Sequence, residues 1–152
     1  MRLRLLYLLT AITSATALGI NCRGSMYCPP LYDSVDVKES WLQDMLSFIN
    51  TIDPDRWYND QEKIACLINE AQVRNGLCLY LQNSHGAYGS KIKELVQVLL
   101  DHGCQHCGSV PLAYPDTNDV KDGELTSNYI YYIPQKECQD GGLCQVGARE
   151  SD

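Results

Sequence analysis

Twelve basic and 19 acidic side chains in 152 residues give a formal net charge of −7. A surface of that sign repels phosphate backbones and anionic headgroups, which excludes nucleic acid and the bare bilayer as partners. The length allows one domain with a modest core and excludes a multidomain assembly.

The chain opens with Arg2 and Arg4, which lead into the apolar stretch Leu5 to Ile12 and then the small residues Thr13 to Ala17. This is the pattern of a secretory leader, whose cleavage site admits only small side chains, and it places the cut after Ala17. A membrane anchor needs about 20 apolar residues, and here Asn21 and Arg23 arrive too soon. No other stretch is apolar enough to span, so no membrane insertion is expected. The last residues, Arg149-Glu150-Ser151-Asp152, form no retention signal. The expectation is a secreted, extracellular protein with a signal peptide over 1–17, one domain over 18–145 and a short polar tail over 146–152. Cleavage removes Arg2 and Arg4 and no acid, which brings the mature net charge to about −9.

All eight cysteines follow the leader: Cys22, Cys28, Cys66, Cys78, Cys104, Cys107, Cys138 and Cys144. An even number in an oxidising compartment predicts four disulfides. After the first two, Pro29-Pro30 rules out regular helix or central strand. Trp41, Met45, Phe48, Ile49 and Ile52 then recur at helical spacing, with Asp36 and Glu39 as a capping arrangement and Asp53-Pro54 as the stop. The runs Lys63 to Asn69 and Gly76 to Gln82 are short and apolar and are read as strands, with helix the alternative for either. Asn83 to Gly89 has the composition of a loop.

Ser90 precedes Ile92, Leu95, Val96 and Leu99, an apolar stripe opposite Lys93, Glu94, Gln97 and Asp101, which predicts a helix. His102 lies in its last turn and Gly103 suits the left-handed position beyond. A turn-rich stretch with Pro111, Pro115, Asn118 and Gly123 follows, then a strand over Glu124 to Ile133 ended by Pro134. The closing Cys138 to Cys144 segment reads as a tail held by its cysteines. These elements predict an α+β domain, a disulfide-rich α/β sandwich in which a single antiparallel sheet carries two main helices on one face.

No catalytic constellation emerges. Cys104-x-x-Cys107 follows a helix instead of opening one, so the dipole cannot lower a thiol pKa as a redox pair requires. His102, Cys104, His106 and Cys107 are metal-ligand types, but they crowd too closely to surround one tetrahedral ion and no second knuckle exists. His85 sits in a polar loop without a nucleophile elbow. Asp53 with Asp55, and Asp119 with Asp122, read as turn formers and not as acid–base pairs or calcium ligands. On a strand, alternate tyrosines point to opposite sides, so some of Tyr129, Tyr131 and Tyr132 are core, and the cluster reads as structural first and as a contact surface second. The sequence contains no Asn-x-Ser/Thr sequon. The expectation is a non-enzyme with no cofactor and no metal.

Leu18-Gly19-Ile20-Asn21-Cys22-Arg23-Gly24-Ser25 with Cys28 resembles the opening of the fungal KP-four killer toxin family. A second block agrees in residues and order: His102-Gly103-Cys104, Cys107-Gly108-Ser109, Pro111-Leu112, Asn118-Asp119-Val120, Gly123, Leu125-Thr126 and Asn128-Tyr129. The resemblance implies the α/β sandwich, and it implies bridges Cys22 to Cys104, Cys28 to Cys107 and Cys66 to Cys138. Elimination then leaves Cys78 with Cys144. It also implies a secreted, non-enzymatic, monomeric toxin that inhibits growth of target cells by engaging a target-cell membrane or surface protein, with a calcium channel and calcium uptake as the candidate target. The cations available for such a contact are Arg23, Lys63, Lys91, Lys93 and Lys121. The acidic charge departs from the basic toxin of comparison and weakens steering toward a cation channel. That departure favours the alternative, a secreted effector on the same scaffold that binds a host protein or a cell-wall component.

Overall fold

The computed structural model describes residues 19–28, 40–68, 75–136 and 143–146. The leader, Pro29-Pro30, the Asp36–Glu39 capping arrangement, Asn69, Cys138 and the polar tail beyond Val146 lie outside the described residues.

The first helix, α1, spans Trp41–Ile49 and buries Leu42, Met45, Leu46 and Ile49, one stripe at helical spacing. Its N-cap is Ser40, whose side chain accepts from the Gln43 N–H at 3.2 Å. The same hydroxyl donates to the Gln105 carbonyl at 2.9 Å, which pins the start of α1 to the loop beyond the second helix. That helix, α2, runs Gly89–Asp101 and turns Ile92, Leu95, Val96 and Leu99 inward. Gly103 follows with φ +97°, and the Cys104 N–H closes back on the Leu99 carbonyl at 3.0 Å. Only a residue without a Cβ takes that left-handed stop at no steric cost.

Among the described residues there are seven strands in chain order: β1 Trp57–Tyr58, β2 Lys63–Ile68, β3 Gly76–Gln82, β4 Ala87–Tyr88, β5 Gly108–Pro111, β6 Glu124–Ile130 and β7 Leu143–Val146. They form two sheets, not one. Five strands pair in the order β5-β6-β3-β2-β7, and β1 with β4 makes a separate two-stranded ribbon. The large sheet is also mixed, because β7 lies parallel to β2 while the other pairings are antiparallel. Two-residue strands carry no periodicity, and a four-residue edge strand in a glycine-bearing tail carries little, which is why the single antiparallel sheet needs correcting. For the same reason β5 replaces part of an expected turn, and the expected loop Asn83–Gly89 contains β4 and the first residue of α2.

Leu77, Leu79 and Leu81 of β3 pack under both helices with Leu67, Val110 and Leu125, so the two helices share one sheet face. Cys66, Ile68, Cys78, Tyr80 and Ile133 form a second cluster on the other face. A bulge between Lys63 and Ala65 puts successive residues Ile64 and Ala65 on the helix side and leaves Lys63 opposite Tyr80.

Cys22 is bonded to Cys104 and Cys28 to Cys107, as the resemblance implies. Cys66 is bonded to Cys78, not to Cys138 as the resemblance implies, and this also overturns the Cys78–Cys144 pair left by elimination. Cys66 and Cys78 are directly opposite on antiparallel neighbours with Cα atoms 4.1 Å apart, the close spacing of a non-hydrogen-bonded pair. Cys144 lies level with Cys66 on the far side, two strands from Cys78. Two strand spacings make about 9.5 Å, beyond the reach of a disulfide. Cys144 is itself disulfide-bonded, to a partner outside the described residues.

Candidate functional site

Two disulfides to the α2–β5 connection, a backbone bridge to β5 and hydrogen bonds to the end of β6 hold the N-terminal arm, residues 19–28. Asn21 exchanges both backbone bonds with Ser109, at 3.0 and 2.8 Å. The Ser25 N–H donates to Asn128 Oδ1 at 2.8 Å, and its hydroxyl donates to the Tyr129 carbonyl at 3.3 Å. Gly24 approaches Cys107 so closely that a Cβ there would stand 2.5 Å from the Cys107 Cβ. The Cys28 N–H returns to the Ser25 carbonyl at 2.9 Å, so Met26 and Tyr27 form the tip of a tight turn.

That turn delivers Tyr27 to Tyr131, ring centroids 5.8 Å apart. Met26, Tyr27, Tyr131 and Tyr132 remain 70, 44, 66 and 65% exposed, an unusual density of apolar surface for an acidic chain. Tyr129 points the other way, half-buried beside Trp41 at 6.3 Å. The strand expected to run to Ile133 ends at Ile130, so Tyr129 alone of the three is structural, and Tyr131 and Tyr132 are exposed together beyond the strand instead of alternating along it. Their partners Met26 and Tyr27 carried no signal in the sequence, because the arm is irregular and meets β6 only through tertiary contacts, the Ser25 bonds to Asn128 and Tyr129.

The five cations do not converge. Lys63 lies over the Tyr80 ring at 4.4 Å on the sheet face away from the helices. Lys91 pairs with Glu94 at 2.9 Å and donates to the Tyr114 carbonyl, while Lys93 donates to the Asn50 carbonyl at the end of α1. Lys121 is exposed in the 3-10 turn Val120–Asp122, and Arg23 is exposed on the arm, next to the turn that carries Met26 and Tyr27. None of these contacts joins two of the five, so Arg23 alone sits beside the aromatic surface.

The other candidates are accounted for locally. Cys104 and Cys107 are each bonded to the arm, which removes both as a redox pair and as thiolate ligands. Asp53 accepts from the Asp55 N–H at 2.9 Å and Asp119 from the Lys121 N–H at 3.0 Å, the turn roles read from composition. His85 is exposed in its loop. His102 lines a hollow of about 250 Å³ with Ile20, Val98, Asp101 and Tyr114. His106 packs edge-on against Trp41 at 6.2 Å with Nδ1 buried and without a hydrogen-bond partner, and burial holds its pKa below the usual imidazole value.

The Kp4 family model matches residues 5–131, a span that takes in the arm, both helices and all but one strand of the large sheet. The chain belongs to the Kp4 family. It is 30% identical over 120 residues to the KP4 killer toxin of Ustilago maydis P4 virus, an alignment covering 75% of this chain and 81% of that protein. It is thus a killer-toxin-like protein, and the family match ends at Tyr131, inside the exposed aromatic surface.

Proposed function

We propose that this chain is secreted and inhibits the growth of target cells by docking on a cell-surface protein, without catalysis. The observation that carries the reading is the family match over residues 5–131. The Met26–Tyr27–Tyr131–Tyr132 surface supports a contact role, since exposed aromatic and methionine side chains clustered on a rigid support are what protein interfaces use as anchors. Arg23 is the cation placed to flank that contact. Interference with calcium uptake is the mechanism we assign to the docking.

The test is a calcium-uptake and growth assay on fungal cells with the purified mature protein. Uptake should fall, growth should arrest, and added calcium should relieve the arrest; a disulfide-reduced sample should be inert. Normal growth and uptake at micromolar protein on all fungi tried would refute the proposal. The acidic charge favours a second reading, an effector that binds a host protein, and capture of a defined host protein by a chain that leaves fungal growth untouched would support it.

A further inference from the structure

We propose that the β1–β4 ribbon carries a second, separate binding site: a carbohydrate platform built on Trp57 and Tyr88. Its ligand would be a neutral polymer of equatorially substituted hexopyranoses. The inference does not depend on whether the chain arrests growth.

Trp57 and Tyr88 are directly paired across the ribbon, with Tyr58 and Ala87 turned into the core behind them. Their ring centroids are 4.9 Å apart at 80°, and they remain 44 and 54% exposed. Two perpendicular rings make a corner, in which a flat sugar can lie on one ring and abut the other. Equatorial substitution leaves the axial C–H groups of a pyranose on its flat faces, and these weakly positive hydrogens are drawn to the electron-rich ring faces.

The corner is held rigidly. A Cβ on Gly86 would lie 2.6 Å from Cε2 and Nε1 of Trp57, and Gly86 has φ +107°, so only glycine lets this backbone lie against the indole. The Gly86 N–H donates to Ser84 Oγ at 3.2 Å, and Ser84 in turn donates through its N–H and hydroxyl to Asp60 Oδ1 at 3.1 and 3.2 Å. Asp60 thereby fixes the loop under the indole, while its Oδ2 stays outside these bonds. Asp60 and His85, the residue between Ser84 and Gly86 in this loop, are both exposed, and we assign them the hydrogen bonds to sugar hydroxyls.

Chemistry decides for sugar over protein here. Among the described residues the exposed large apolar side chains are Met26, Tyr27, Trp57, Tyr88, Tyr131 and Tyr132. Trp57 and Tyr88 stand with carboxylates and without a methionine, so this surface offers ring faces and hydrogen-bond acceptors, which suit a sugar's axial C–H groups and hydroxyls. Aromatic rings with a few placed polar groups are the usual lining of a small polar ligand's site. Asp53, Asp55, Asp60 and Glu62 along this edge exclude an anionic polysaccharide.

Sedimentation with insoluble chitin, insoluble β-1,3-glucan and an α-linked mannan tests the proposal, with the mature protein properly oxidised. The protein should pellet with chitin or with the glucan, which identifies the sugar, and stay in solution with the mannan. Trp57→Ala and Tyr88→Ala should each weaken retention on the order of tenfold. Trp57→Phe should retain most of the binding, and Tyr131→Ala all of it. Circular dichroism confirms that each variant is folded. Failure of the wild-type protein to pellet with chitin or glucan, or equal retention of a folded Trp57→Ala variant, would overturn the platform.

Discussion

Two half-buried titratable groups set opposite pH dependences. His106 is held neutral by burial, its Nδ1 unpartnered, so its folded pKa lies below the ordinary value of about 6.5. As pH falls through that ordinary value the unfolded chain takes up the proton first, and stability drops. A urea midpoint measured at pH 7.5 and at pH 5 should therefore decrease, and His106→Gln should remove part of the decrease. Glu124 is shifted the other way: burial raises its pKa, opposed by a hydrogen bond from Ser109. Its ionised form weakens the fold at neutral pH, and that penalty disappears as pH falls through the raised folded value. Glu124→Gln should accordingly stabilise at pH 7 and change little below pH 4, measured by thermal melts at both values.

Among the elements, β3 is the centre of the sheet and the least tolerant of change. Leu79 is fully buried between the sheet and the helices, so Leu79→Ala should cost about 2–5 kcal/mol in a denaturant titration. The cap of α1 is a smaller but double contribution. Ser40 serves both the Gln43 N–H and the Gln105 carbonyl, and Ser40→Ala should destabilise by about 0.5–2 kcal/mol. The Cys66–Cys78 bridge joins β2 to β3 with a sequence separation of only 12 residues. In the chain-entropy account a loop of that size contributes about 3 kcal/mol. A non-reducing peptide map should recover the peptide that contains Cys66 linked to the one that contains Cys78.

On the scale of the whole molecule, the two arm bridges close the longest loops, with separations of 82 and 79 residues. Each is worth about 4.5 kcal/mol in the same account, more than the cross-strand bridge. The arm also presents Met26 and Tyr27 beside Tyr131. Cys28→Ser with Cys107→Ser should therefore lower stability and scatter the aromatic surface, with growth inhibition lost more completely than the folded fraction measured by circular dichroism.

The sequence by itself determined the two helices, the strand β6 and the family, because each rests on periodic apolar spacing, β-favouring composition or motif residues, while for the short apolar runs of β2 and β3 it favoured strand and left helix open. Strand alternation did not sort the tyrosines, because it puts Tyr129 and Tyr131 on one face, whereas β6 ends at Ile130 and Tyr131 and Tyr132 are both exposed beyond it. Tertiary structure decided the rest. Whether Cys66 meets Cys78 or a more distant partner depends on strand register, which no single strand encodes. β7 becomes a strand only because the β2 edge offers it hydrogen bonds, and β1 with β4 only because Tyr58 and Ala87 bury together. Both aromatic surfaces join residues about 30 or 100 positions apart, and that proximity exists only once disulfides and pairing fold the chain back on itself.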